Sequence, residues 1–137
     1  MKIVINTCYG GFGLSEKAMK EYFQLKGWPF YVEEEKPLGN TYWKVPLSER
    51  VQEIDWNNAT TEEKIAHNEK YSEQTCYERD IERNDPDLIR AIEIVGTEEA
   101  SGKYASLKIV EIPDDVEWEI EEYDGSEWIA EKHRIWN

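Results

Sequence analysis

Residues 3–27 have the sequence IVINTCYGGFGLSEKAMKEYFQLKG. The segment opens with three apolar residues, which is typical of a short buried strand, and a glycine-rich turn follows. Ser15 stands at the N-cap position of a helix that we predict from Glu16 to Lys26, and Gly27 stands where many helices end in a left-handed residue. The segment therefore predicts a strand, a turn and a helix in succession.

Length and composition predict a folded protein. A chain of 137 residues is normally one domain, so we expect residues 1–137 to form a single domain. Hydrophobic residues make up 39% and aromatic residues 12% of the chain, which excludes a disordered protein. No apolar run has the length of a membrane span, and the first residues lack the profile of a signal peptide. We therefore expect a cytosolic protein without membrane association, whose two cysteines are free thiols.

The net charge of −14 comes from 30 acidic and 16 basic residues. Such a surface repels phosphates, which excludes direct, sequence-independent binding of nucleic acid. Ten of the acidic residues lie between positions 109 and 131, where there is no Lys or Arg. This run has two interpretations that the sequence leaves open: a solvated surface that keeps the protein soluble, or a mimic of nucleic acid that binds a basic partner.

The middle of the chain is its least regular part, and we expect residues 33–74 to form an insertion or lid. Thr60 and Glu63 form a capping box, which predicts a helix from Thr61 to about Glu73. This helix has few apolar residues, so we expect it to be mostly exposed or to pack against a partner.

A second strand–turn–helix unit is predicted after this region. Residues 75–81 alternate in a manner typical of a strand. Asp85 is a favourable N-cap residue and Pro86 suits the first helical position, so we predict a helix from Pro86 to Val95 that Gly96 ends.

The last third of the chain predicts an antiparallel β-meander over residues 104–135. Asp124-Gly125 favours a two-residue hairpin turn, which places Ile120 opposite Ile129 and Val116 opposite His133. The two strand–turn–helix units and the C-terminal meander together predict an α+β fold with the helices packed on one sheet.

Three stretches are distinctive: residues 5–15 have the sequence INTCYGGFGLS, residues 83–89 RNDPDLI, and residues 121–136 EEYDGSEWIAEKHRIW. They resemble the opening, middle and closing motifs of a widespread family of small accessory proteins of tailed bacteriophages. The resemblance covers both ends of the chain and residues 79–96, but not the middle. It implies a phage or prophage protein that is dispensable for building virions and acts in the host bacterial cytoplasm. Small proteins of that kind are often counter-defence factors, which is an association rather than a mechanism.

The sequence offers little for catalysis or metal binding. A nucleophilic pair would join Cys8 to His133 or His67 and needs a third, orienting group that no spacing indicates. The two cysteines and two histidines lack the spacing of a metal site. We therefore expect no enzymatic activity, no metal and no cofactor.

The glycine-rich turn is the predicted ligand site. Three glycines within four residues, ahead of a helix N-terminus, suit the binding of a phosphate, although a plain tight turn has the same sequence. Arginine forks bind phosphates and aromatic rings stack on bases, and three of the five arginines lie between positions 79 and 90. The alternative is that these arginines pair with neighbouring carboxylates at positions 78–87. The predicted ligand-binding residues are Tyr9, Gly10, Gly11, Phe12, Gly13, Ser15, Arg79, Arg83, Asn84, Arg90, Arg134 and Trp136.

These features favour a binding protein that sequesters a host nucleotide-derived immune signal without cleaving it. The expected partner is a nucleotide second messenger, either a cyclic nucleotide or an ADP-ribose derivative. The alternative is an acidic, anti-CRISPR-like inhibitor that blocks a basic groove of a host defence protein. Six tryptophans in 137 residues also predict a homo-oligomer, because exposed aromatic patches commonly mark contacts.

Overall fold

The computed structural model describes residues 1–35 and 39–132, and it has the predicted α+β class. Two short 3₁₀ turns, Leu47–Glu49 and Glu78–Asp80, accompany the regular elements. Among the described residues, no helix combines the length and the apolar character needed to cross a membrane. The helices and strands are, in chain order, β1 (Lys2–Asn6), α1 (Glu16–Lys26), β2 (Tyr31–Glu35), β3 (Gly39–Trp43), α2 (Thr61–Gln74), α3 (Pro86–Val95), α4 (Thr97–Ala100), β4 (Leu107–Glu111), β5 (Trp118–Tyr123) and β6 (Ser126–Glu131).

Helices α1 and α3 form where the capping signals predict them, and they pack against each other. The Ser15 hydroxyl accepts a hydrogen bond from the Ala18 N–H, and Gly27 has a left-handed φ of 75°. The Asp85 carboxylate accepts from the N–H groups of Asp87 and Leu88. Each helix packs one apolar stripe into a shared core. The members of this core from α1 and α3 are Ala18, Met19, Tyr22, Phe23, Leu88, Ile89, Ala91 and Ile92.

The predicted meander and the predicted single sheet are wrong. The described strands form three antiparallel pairs, β1 with β4, β2 with β3, and β5 with β6. β4 pairs with β1 because the buried residues 3–5 need a partner strand on the core side, and the Met1 ammonium holds this pairing by donating to the Ile112 carbonyl and the Asp114 carboxylate. Local turn signals predict hairpins, but they carry no information on pairing across a hundred residues.

The predicted strand over residues 75–81 is also wrong. Thr75 forms a single bridge to Trp43, and the Cys76 N–H donates to the Tyr42 carbonyl. The chain then enters the 3₁₀ turn at Glu78, whose carboxylate accepts a hydrogen bond from the Leu14 N–H. This tertiary contact outweighs the weak alternation of side chains that predicted a strand. The second unit is therefore a turn and a helix without a strand.

The insertion or lid predicted over residues 33–74 stays a prediction, although part of this region belongs to the core. Tyr42 and Trp43 at the end of β3 are buried, and Tyr42 stacks on Phe30 at 5.7 Å between ring centroids. Helix α2 begins as predicted, with the Thr60 hydroxyl accepting from the Glu63 N–H. Most of its surface is exposed.

The C-terminal hairpin has the predicted register. Ile120 lies opposite Ile129, and Asp124 and Gly125 have the positive φ angles of 52° and 91° that a type I′ turn requires. The predicted partner of Val116, His133, lies outside the described residues, as do Arg134 and Trp136.

A buried ion pair connects this hairpin to the rest of the molecule. Both guanidinium Nη atoms of Arg83 donate to the carboxylate of Glu127 on β6, at 2.7 and 2.8 Å. The same carboxylate accepts from the Asn6 N–H on β1 at 2.8 Å, and the Arg83 guanidinium lies 3.5 Å from the centroid of the Phe12 ring. The two side chains are 19% and 7% exposed, so the pair is shielded from water.

Glu127→Ala should lower the free energy of unfolding by about 3–5 kcal/mol, because it leaves the Arg83 charge and the Asn6 N–H buried without a partner. Glu93→Ala is the control, since the Lys2–Glu93 pair is 46% and 37% exposed and should contribute about 1 kcal/mol or less. Urea unfolding of both variants measures the difference. Equal losses would show that the buried pair does not hold the hairpin in place.

Candidate functional site

The glycines of the predicted ligand loop serve close packing between backbone segments. A Cβ on Gly10 would collide with the carbonyl of Tyr104, and a Cβ on Gly125 in the hairpin turn would lie 2.6 Å from the Tyr9 carbonyl oxygen. Gly11 has a φ of 90° and open space around it, so glycine is needed there for its conformation. The loop is therefore wedged between residues 102–104 and the hairpin.

A carboxylate of the chain itself occupies the place expected for an anion. Glu78 accepts the Leu14 N–H at 2.9 Å, directly ahead of α1. The cavity beside the loop measures about 200 Å³ and is lined by residues 10–14, Glu78 and residues 102–105. Ligand pockets usually measure about 300–1,000 Å³. The geometry thus favours a structural turn over a nucleotide site.

The predicted arginines do not form a ligand site with the loop. Arg83 lies against Phe12, but its guanidinium fork is taken by Glu127 rather than by the neighbouring carboxylates. Arg79 lies over the Tyr77 ring and Arg90 is exposed on α3; neither lines the loop cavity. Three further residues of the predicted site are described by the structure. Ser15 caps α1, Asn84 is exposed near the Met1 sulfur, and Tyr9 is exposed.

A larger cavity, of about 610 Å³, lies within the region that the sequence left least defined. We call it the aromatic cavity, after its defining residues Trp43, Arg50, Trp56, His67 and Tyr71. The rest of its lining is partly apolar and partly charged or polar: Glu33, Leu47, Val51, Gln52, Glu53 and Ile54. Its volume falls within the usual range for small-molecule sites.

The rings of the aromatic cavity form a continuous wall. His67 and Tyr71 are one turn apart on α2, and their rings are stacked with an interplanar angle of 13°. Trp56 meets His67 edge-on at 5.2 Å between centroids, and Trp43 meets Tyr71 edge-on at 5.3 Å. Edge-to-face contacts of this kind are a favoured arrangement of aromatic pairs.

Arg50 is held over this wall by contacts on several sides. Its Nη1 donates to one carboxylate oxygen of Glu33 at 3.2 Å, and the other oxygen accepts from the Trp43 indole N–H at 3.2 Å. The guanidinium carbon lies 4.7 Å from the Trp43 ring centroid. Buried Gln74 accepts from the Val51 N–H and donates to the Glu49 carbonyl, which fixes the backbone on both sides of Arg50.

Two buried nitrogen atoms at this cavity lack a hydrogen bond. They are Nε of Arg50 and Nδ1 of His67, and neither has a partner among the described protein atoms. An unsatisfied buried polar atom costs about 1–3 kcal/mol, and native structures contain few of them. Both atoms are closed to solvent, so no acceptor in the cavity reaches them in this conformation.

Tyr71 separates the aromatic cavity from a second cleft of about 440 Å³. Burial and a hydrogen bond with Tyr77 raise the pKa of Tyr71 to about 12, so its hydroxyl is neutral. The cleft contains Lys44 over the Trp28 ring at 3.8 Å. Burial also raises the pKa of Cys76 in this cleft to about 11, which keeps the thiol protonated and weakens it as a nucleophile.

Sequence reasoning missed the aromatic cavity, although one signal for it was present. His67 and Tyr71 stand four residues apart on a helix that is otherwise charged, and Trp43 and Trp56 lie in polar surroundings. Aromatic residues in such a region indicate a shared surface. No local signal distinguishes Arg50 or Gln74, because their roles depend on contacts with distant segments.

Comparisons with known proteins add no assignment: no family model, no curated protein and no solved structure matches the chain. Within residues 1–35 and 39–132, no three His, Cys, Asp or Glu side chains form a group able to hold a metal ion.

Glu78 provides a test of the glycine loop as a structural turn. Burial raises the pKa of its carboxyl above the ordinary value, and the hydrogen bond from Leu14 lowers it in part. A carboxyl with a raised pKa in the folded state lowers stability as the pH rises through that pKa. Glu78→Gln keeps an acceptor for the Leu14 N–H and removes the buried charge, so it should be at least as stable as the wild type at pH 7. This advantage should disappear below about pH 4.

Glu78→Ala is the matched variant, and it should lose about 1–3 kcal/mol because the Leu14 N–H is left without an acceptor. Urea unfolding at pH 4 and pH 7 measures both variants. If the Gln variant is destabilised as much as the Ala variant at pH 7, the carboxylate charge itself is required at the loop.

Proposed function

We propose that the protein is a non-catalytic binding module that holds a flat, nucleotide-derived small molecule in the aromatic cavity. The observation that carries this proposal is a cavity of about 610 Å³ whose wall contains the rings of Trp43, Trp56, His67 and Tyr71. Stacking of a base on an aromatic side chain contributes about 1–3 kcal/mol. The cavity therefore supplies both an apolar face for a ring and directional groups for its polar atoms.

Binding without cleavage agrees with how the polar groups of the cavity are used. Both oxygens of Glu33 accept hydrogen bonds, one from Arg50 and one from Trp43. This carboxylate therefore positions these two side chains. The Tyr71 hydroxyl has a raised pKa and is bonded to Tyr77. These groups are arranged to orient a ligand, and we assign no chemical step to them.

The resemblance to accessory proteins of tailed phages suggests what such binding is for. A protein made during infection that captures a host nucleotide signal, such as a cyclic nucleotide or an ADP-ribose derivative, would silence a defence system in the bacterial cytoplasm. This context is part of our proposal, and it rests on the sequence resemblance rather than on the cavity.

Trp56→Ala should weaken binding of such a ligand by about tenfold or more, because one stacking wall is lost. Trp128→Ala on the hairpin is the matched control: Trp56 is 43% exposed and Trp128 is 45% exposed, so both variants should fold. The measurement is calorimetric titration with a panel of cyclic nucleotides and ADP-ribose derivatives, with a melting curve for each variant. The proposal fails if no member of the panel binds the wild type, or if the Trp56 variant binds normally.

A second candidate function is favoured by the outer face of the hairpin. Glu117, Glu119 and Glu121 share this face in the observed register, and all three are exposed. None of the three forms a salt bridge within the described part of the chain. An acidic row of this kind would suit a protein inhibitor that mimics nucleic acid toward a basic groove.

Reversing the charges of Glu117, Glu119 and Glu121 to Lys distinguishes this second function. A control with equal charge change reverses Glu62, Glu69 and Glu73, which are exposed on α2. If the hairpin binds a basic partner, copurification from infected cells should lose that partner with the hairpin variant and keep it with the α2 variant. Retention by both variants would exclude the mimic.

A further inference from the structure

We propose that strand β5 of the terminal hairpin accepts an extended peptide as an additional antiparallel strand, and that this peptide alternates basic and apolar residues. The inference goes beyond the binding of a small molecule and does not rest on the aromatic cavity. Its basis is a strand edge without a partner, a groove beside that edge and a row of carboxylates on the same strand.

The outer edge of β5 has main-chain groups for a further strand. Within the described residues, β5 pairs only with β6. The Lys132 N–H donates to the Glu117 carbonyl, and from this pair onward every second residue of an antiparallel ladder bonds to its partner strand. The residues between them direct their N–H and C=O groups away from β6: Trp118, Ile120 and Glu122. A strand edge of this kind is a template for pairing with another chain.

A groove of about 350 Å³ lies between β5 and residues 79–83. Trp118, Ile120 and the buried Ile81 form the apolar part of its lining. The rest of the lining carries both charges: Arg79, Asp80, Glu82 and Arg83. Residues directly opposite each other on paired strands have their side chains on the same face. A peptide residue opposite Ile120 therefore places its side chain at this groove, where an apolar group is favoured.

The outer face of the hairpin determines the charge of the partner. Glu117, Glu119 and Glu121 alternate with the groove residues, and all three are exposed. Across two strands, opposite charges attract and like charges repel. Every second residue of an added strand would face one of these carboxylates, so Lys or Arg is favoured there. A second copy of β5 is disfavoured for the same reason, because it would place Glu against Glu.

The main chain and the two faces together define how the peptide binds. In strand addition, main-chain hydrogen bonds give affinity and alternate side chains give specificity. In the antiparallel sense, the apolar peptide residues lie opposite Trp118 and Ile120 and exchange both main-chain hydrogen bonds with them. The basic residues direct their N–H groups to solvent. The N–H groups of the apolar residues are therefore required for binding, and those of the basic residues are not.

The probe is a synthetic peptide of about seven residues that alternates lysine and valine, titrated calorimetrically into the wild-type protein. Methylation of every valine N–H should weaken binding by at least about tenfold, because it removes several hydrogen bonds to β5. Methylation of every lysine N–H should leave the affinity within about twofold, since these groups face solvent. A peptide of the same composition with its lysines grouped at one end should bind at least about fivefold more weakly, because it cannot match both faces.

Glu122→Pro tests the strand edge in the protein itself. Glu122 lies opposite Glu127 in a pair that is not hydrogen-bonded across the hairpin, so proline removes an edge N–H and leaves the ladder with β6 intact. This variant should bind the lysine–valine peptide at least about threefold more weakly. Glu122→Gln is the matched control, because it removes the same charge and keeps the N–H. A melting curve of each variant verifies that it is folded.

The outcomes separate strand addition from simple charge attraction. Equal binding of the two methylated peptides, or no binding of the lysine–valine peptide, would overturn the proposal. Equal binding of the alternating and the grouped peptide would show that only net charge attracts them, which also overturns it. The test uses no nucleotide and changes no residue of the aromatic cavity, so its failure leaves the proposed function standing.

Discussion

The buried pair of Arg83 and Glu127 is the interaction on which the arrangement of this protein depends. It joins three segments that are distant in the sequence: the turn before α3, strand β1 through the Asn6 N–H, and strand β6 of the terminal hairpin. The Arg83 guanidinium also covers the Phe12 ring in the glycine loop. The positive charge of Arg83 is therefore compensated by Glu127 inside the fold. This arginine has a structural role instead of the predicted contact with a phosphate.

Helix boundaries could be predicted because their signals are local. Ser15, Thr60 and Asp85 each place a side-chain acceptor against N–H groups two or three residues later, and Asp124-Gly125 fixes a hairpin within two residues. The pairing of β1 with β4 and the loss of the strand before α3 depend on contacts across 60 or more residues, such as that between Leu14 and Glu78. No pattern within a short window records such contacts.

The same distinction applies to the candidate site. The glycine loop was predicted to bind a ligand because its local sequence suits an anion. In the structure, Glu78 and the hairpin turn pack against it instead. The aromatic cavity is assembled from β2, β3, the 47–56 segment and α2, and its central arginine is positioned by Glu33 and Gln74. A site made of single residues from several segments leaves no motif. It exists only once the fold brings these segments together.

The central claim is that the protein retains a nucleotide-derived small molecule. Native mass spectrometry of the protein purified from infected, defence-activated cells tests this most directly, because it detects any bound species without prior choice of ligand. We expect a mass increment that matches a nucleotide and disappears when the protein is denatured. A chain that carries only a bound host protein, or nothing, would contradict the account.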